Sequence, residues 1–117
     1  MLITFYYGKL KIVLPLYFGM IQKYPYMKIE MRSHTDNVGT DEYNMILSQK
    51  RAESVVNFLV EKGISRERLT ATGYGSKFPV AKNSNDDGTD NPEGRKQNRR
   101  TEFKIIGKTI FSEFINK

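Results

Sequence analysis

The strongest constraint in the sequence is a change of hydrophobic period just after Tyr24-Pro25. Proline removes a backbone donor and biases its predecessor away from helix, so this pair punctuates the chain. Met27, Ile29 and Met31 then alternate with Lys28, Glu30 and Arg32. That is the period of two of a half-buried strand. Ser33-His34-Thr35-Asp36-Asn37-Val38-Gly39 reads as a polar loop, and the pattern that follows it is helical. Thr40 or Asp41 caps the helix, Asp41 and Glu42 complement its positive end, and Gly63 supplies the left-handed stop. The helix expected from these signals spans residues 41–62. A core-facing side built from Leu47, Val55 and Leu59 makes it the main support of the fold.

Further strands are expected at residues 69–74 and 101–106, where Phe103 and Ile105 alternate with Glu102 and Lys104. Between them, residues 75–100 form a long polar connection rich in Gly, Asn, Asp and Pro. Loops of that length in compact domains tend to carry function. A length of 117 residues fits one domain with a core that needs no metal or disulfide staples. There is no cysteine, which excludes disulfides, thiolate metal sites and cysteine nucleophiles. No internal repeat is present.

The first 32 residues hold five basic side chains (Lys9, Lys11, Lys23, Lys28, Arg32) against Glu30. Their longest uncharged stretch, residues 12–22, contains Pro15 and Gly19 and is too short to span a bilayer, which takes about 20 apolar residues. Lys9 and Lys11 precede an apolar run as in a signal peptide, but no small-x-small cleavage site follows. The preferred reading is a strand over residues 3–7, then an apolar helical or irregular segment up to Tyr24.

Several motifs invite chemical readings. Ser33, His34 and Asp36 have the residue types of a catalytic triad, yet neighbours in an extended segment point to alternating sides. His34 is the single histidine, which argues against an imidazole-rich metal site and for a structural hydrogen-bonding role. Asn83-Ser84-Asn85-Asp86-Asp87-Gly88 begins like a calcium loop, but its twelfth position is Gly94, not a bidentate Glu, so a solvated turn is expected. No cofactor is expected. The net charge of +6 and the run Arg95-Lys96-Gln97-Asn98-Arg99-Arg100 keep a basic nucleic-acid-binding domain as the alternative function.

Arg51 is the most informative residue. On a helical wheel Asn44, Arg51 and Phe58 form one stripe beside Leu47, Val55 and Leu59. A guanidinium there needs a carboxylate, because an unpaired charge near a core is costly. Asp36 can supply one, either as a structural ion pair or as the other half of a cleft. In the cleft, Arg51 would grip a ligand carboxylate and Asp36 would accept from a ligand ammonium. Spacing alone favours the structural pair.

Met27-Lys28-Ile29-Glu30, the segment Ser33 to Gly39, Tyr43-Asn44, Leu47-Ser48-Gln49-Lys50-Arg51-Ala52, Gly63-Ile64, Gly73-Tyr74-Gly75 and Asn98-Arg99-Arg100-Thr101-Glu102-Phe103 together resemble the OmpA-like C-terminal domain family. Porin tails, the peptidoglycan-associated lipoprotein and flagellar stator anchors belong to it. The resemblance covers about residues 27–106 and implies an α+β two-layer sandwich, β-α-β-α-β-β, with helices on one side of a mixed sheet. It divides the chain into an irregular segment 1–26, a domain 27–106 and a tail 107–117. In the first segment Tyr6 stands where the family usually has an acid, and only 14 residues separate Lys9 from Tyr24.

The resemblance places the family's diaminopimelate-binding aspartate on Asp36 and its binding arginine on Arg51. Asn44 falls on a supporting position, and Thr35, Asn98 and Arg99 fall in motifs bordering the pocket. The implied function is non-catalytic binding of the peptidoglycan stem peptide. The implied location is the periplasmic face of a Gram-negative-type outer membrane, reached through a segment upstream of Met1. Peptidoglycan is the expected partner, nucleic acid is not, and a homodimer is left open. A truncated scaffold that has lost its ligand is the remaining reading.

Overall fold

A computed structural model describes residues 2–6 and 18–106 of the chain. Four strands, β1 (Leu2–Tyr6), β2 (Ile29–His34), β3 (Leu69–Gly75) and β4 (Arg100–Ile105), form one sheet in the order β1-β4-β2-β3. β2 and β3 run parallel, while β4 is antiparallel to both β1 and β2. Helix α1 covers residues 18–23, α2 is Asp41–Glu61 and α3 is Pro92–Asn98. The fold is the mixed α+β sandwich expected, and the chain order of its strands is the expected one. α3 is an addition: the connection read as uniformly polar contains one short helix, started by Pro92 at its first turn and by Asn91, whose Oδ1 accepts from the Gly94 N–H at 3.2 Å. Of the proposed N-terminal segment 1–26, residues 1 and 7–17 lie outside the described residues, as does the tail 107–117. β1 pairs with β4 from Leu2↔Lys104 to Tyr6↔Arg100.

α2 begins and ends where its caps require. The Thr40 hydroxyl accepts from the Tyr43 N–H at 3.1 Å. At the other end Ile64 N–H donates to Leu59 O and Gly63 N–H to Val60 O, each at 3.0 Å, with Gly63 at φ +103°. This is a Schellman motif, and Leu59 and Ile64 both lie in the buried core, as that motif favours. The buried side of α2 is Asn44, Ser48, Ala52, Val55, Val56 and Leu59. Leu47, expected in the core, is only half-buried, because the contact stripe runs through Ser48 and Ala52.

The reason for that rotation is β3. A Cβ added to Gly73 would lie 2.2 Å from the Gln49 backbone nitrogen, so the helix rests directly on strand backbone. Small residues at 48 and 52 permit this approach. β3 is also a sheet edge, and the Gln49 side-chain amide occupies part of it: Oε1 accepts from Gly73 N–H at 2.8 Å and Nε2 donates to Ala71 O at 3.1 Å. Below this polar contact, Ile21, Met27, Ile29, Met31, Leu59, Ile64 and Phe103 close the apolar core. The upper half of α2 is therefore placed by polar and small residues, the lower half by hydrophobic burial. Among the described residues no helix is long and apolar enough to cross a membrane.

Candidate ligand-binding site

β2 delivers the loop 35–39 to the end of the sheet. Thr35 N–H donates to Gly75 O at 2.9 Å, prolonging the parallel pairing, and the Thr35 hydroxyl donates to Asp36 O at 2.7 Å. Asp36 Oδ1 then accepts from the Val38 N–H at 3.0 Å, an Asx turn that fixes the carboxylate. Asn44, buried in the first turn of α2, donates from Nδ2 to Val38 O at 3.1 Å and ties this loop to the helix. Thr35, Asp36 and Asn44 are thus brought together, with Asp36 only 8% exposed.

The charge on Asp36 is answered from the other end of the domain. Its Oδ2 accepts from Arg99 Nη1 at 2.7 Å, and Arg95 Nη1 lies 3.7 Å away. Arg99, expected at the pocket border, therefore pairs with Asp36 itself. Arg95 was legible only as part of a basic run. Arg95 also makes a two-point contact with Asp90, from Nε at 2.7 Å and Nη2 at 2.6 Å. This holds the Asp90 carboxyl below the usual carboxylate range, chiefly through the Arg95 hydrogen bond.

Asn98 is in the same region with a different part to play. Its Oδ1 accepts from Val80 and Ala81 N–H at 2.8 and 3.1 Å, and its Nδ2 donates to Ala81 O and Asn83 Oδ1, both at 2.9 Å. An amide has two donors and two acceptor positions, so all are used inside the fold. Asn98 staples residues 80–83 to α3 and has no hydrogen-bonding capacity left for a ligand. Arg51 lies two turns, about 10 Å, along α2 from Asn44, half-buried with Nη1 fully enclosed. Helical side chains lean toward the N-terminus, here the end that carries the Asp36 loop.

The triad residues separate as the alternation requires. Ser33 Oγ meets Thr101 Oγ1 at 2.8 Å, Asp36 meets Arg99, and His34 Nε2 lies 2.6 Å from Glu102 Oε1. Buried His34 stacks on Tyr74 at 5.4 Å between ring centroids, and Phe78 meets both rings edge-on. Burial lowers the His34 pKa from 6.5, and the Arg100 charge lowers it further against the opposing pull of Glu102. Arg100 is itself buried, bonded to Glu102, Asn98 O and Phe78 O. With Arg95 and Arg99 engaged by Asp90 and Asp36, three of the four basic residues in the run 95–100 serve carboxylates of the domain. They do not form a stripe facing outward toward phosphates. In the loop 83–90 the polar side chains close the turn: Asn85 Nδ2 donates to Thr89 Oγ1 and Asp90 O, both at 3.0 Å, and Asp87 Oδ1 accepts from Thr89 N–H at 3.0 Å.

The model of the OmpA family matches residues 19–99, more than half of the chain. The chain belongs to the OmpA family. Among curated proteins it is 53% identical over 87 residues to the photosystem I P700 chlorophyll a apoprotein A2 of Gloeobacter violaceus, covering 74% of this chain and 10% of that protein. It is 42% identical over 83 residues to outer membrane porin F of Pseudomonas fluorescens, covering 71% of this chain and 24% of the porin. The chain thus spans a quarter or less of these two relatives' length. Among solved structures, the peptidoglycan-associated lipoprotein from Burkholderia pseudomallei superposes with a TM-score of 0.71 at 27% identity, covering 86% of each chain. The family match begins at residue 19 and so takes in α1 as well as the strand–helix–strand core.

Proposed function

We propose that this domain is a non-catalytic peptidoglycan-binding module that holds the stem peptide by its diaminopimelate residue, on the periplasmic side of an outer membrane. Asp36 accepts from the ligand ammonium and Arg51 receives a ligand carboxylate. The observation that carries this reading is the state of Asp36: a nearly buried carboxylate fixed by the Val38 N–H and a guanidinium rather than left to rotate in water. A pre-oriented acceptor loses little freedom when an ammonium arrives. Likeness to an outer membrane porin and to a peptidoglycan-associated lipoprotein supports the envelope setting. Thr35, Asn44 and Asn98 support the site by holding its loops, and Arg99 orients Asp36.

Co-sedimentation with purified diaminopimelate-containing sacculi tests this directly. The chain should pellet with sacculi at physiological salt, and Asp36→Asn and Arg51→Lys should each reduce the bound fraction. A chain that stays in the supernatant, or variants that pellet like the wild type, would overturn the assignment.

A further inference from the structure

Arg95 presents chemistry that the reading above leaves unused. Two of its guanidinium nitrogens face Asp90, and the third is 3.7 Å from Asp36 Oδ2. Asp36 already has Arg99 at 2.7 Å. One carboxylate is balanced by one guanidinium, so Arg95 is a surplus cation at the site, and Asp90 neutralises it. Asp90 is a poor permanent partner. Its side chain is 58% exposed at the end of the 83–90 turn, whereas that of Arg95 is 22% exposed. Ion pairs with an exposed member are weak and exchangeable. The parallel two-point contact is also the geometry in which arginine receives a carboxylate of any origin.

We propose that Arg95 is a second carboxylate-receiving residue of the Asp36 site, and that Asp90 is an internal stand-in which a ligand carboxylate displaces. This rests on the peptidoglycan reading and deepens it. A ligand that brings only an ammonium to Asp36 adds one positive charge to a group in which Asp36 and Asp90 already balance Arg99 and Arg95, and brings no carboxylate to offset it. A ligand that carries a carboxylate close to the ammonium satisfies Asp36 and the Arg95 fork together. The class of ligand is therefore a zwitterionic peptide with more than one free carboxylate, one for Arg51 and one for Arg95. A simple amine or a neutral glycan does not meet these requirements.

The test is calorimetric titration of the 117-residue chain with a diaminopimelate-containing stem tripeptide, as the free acid and with its carboxylates amidated. Asp90→Asn removes the competitor at an exposed position and should tighten free-acid binding about three- to tenfold, with no gain for the amidated peptide. Arg95→Gln should weaken free-acid binding roughly tenfold, the loss of one charge-assisted contact. In the double variant the gain from Asp90→Asn should vanish. If Asp36→Asn abolishes binding but Asp90→Asn leaves it unchanged or weaker, the role of Arg95 is overturned and the peptidoglycan reading stands. If the wild type binds neither peptide, or Asp36→Asn binds as tightly as the wild type, that reading falls and this inference falls with it.

Discussion

Replacing Asp36 with Asn separates a binding role from a structural one, because the two substituents have the same shape. Asn offers an Oδ1 that still accepts from the Val38 N–H, now at 3.0 Å, so the Asx turn survives. What disappears is the charge at Oδ2, where Arg99 donates at 2.7 Å and Arg95 lies 3.7 Å away. A hydrogen bond to a charged group contributes about 1.5 to 3 kcal/mol when its loss strands a buried partner. Arg99 is not stranded. Its side chain is 35% exposed, so water takes over the guanidinium and the cost to the fold falls to about 1 kcal/mol. For a domain of this size that is a drop of about 4 °C in Tm. For the ligand the position differs, since its ammonium loses the one carboxylate aimed at it. A loss of about 1.5 to 3 kcal/mol weakens affinity roughly 10- to 150-fold. Calorimetric titration with stem tripeptide and a thermal scan of the same preparation read both quantities. Unchanged affinity refutes the ammonium contact. A Tm drop several times larger than expected would mean that Asp36 is chiefly a structural counter-charge.

Other substitutions probe neighbouring links in the argument. Arg51→Lys keeps the charge but loses the planar fork, so stem-peptide affinity should fall while Tm moves by only a few degrees. Leu59→Ala empties a fully buried position at the centre of the core and should cost about 2 to 5 kcal/mol in urea unfolding; a loss below about 0.5 kcal/mol would show that α2 packs differently. Gly73→Ala forces a methyl against the Gln49 backbone and should cost about 1 to 3 kcal/mol, with the α2–β3 contact opening first in hydrogen exchange. His34 gives a pH dependence. Its folded pKa lies below 6.5, so near that pH the unfolded chain takes up a proton that the fold resists. Stability is complete above about pH 6.5 and declines as pH falls below it, a slope that thermal scans should lose in His34→Asn.

The parts of the fold that could be read from sequence are those with local causes. Alternation from Met27 to Arg32 located β2 but not its bounds: the strand is Ile29–His34, and Ser33 and His34, read as the start of the polar loop, pair with Thr101 and Arg100 of β4. The Thr40 and Gly63 caps gave α2 to within a residue, because caps act on their own helix end. The buried side of α2 was less legible. A helical wheel ranks Leu47 above Ser48 by hydrophobicity, but Gly73 on β3 brings the helix so close that only small residues fit between. That contact joins residues 24 positions apart, and nothing in the helix reveals it. α3 was missed because seven residues carry too little periodicity to stand out from the polar connection around them.

The site divides in the same way. Asp36, Thr35 and Asn44 share one turn and the helix after it, and their grouping follows from sequence neighbourhood. The partners of Asp36 come from Arg95 and Arg99, about half the chain away; the family resemblance put Arg99 at the pocket border, but Arg95 could be read only as one of four basic residues standing close together between 95 and 100. Such a run reads as a surface patch until the sheet order is known. Because β4 lies beside β2, the residues just before Arg100 arrive next to the loop that follows His34, and the cations are drawn onto Asp36. The strand order thus converts an apparent patch for external phosphates into the electrostatic frame of the Asp36 site. Asp36 is therefore not a lone anion: Arg99 bonds it at 2.7 Å and Arg95, held by Asp90, lies 3.7 Å away, so on the proposed reading a ligand enters a group of two carboxylates and two guanidiniums whose charges already balance.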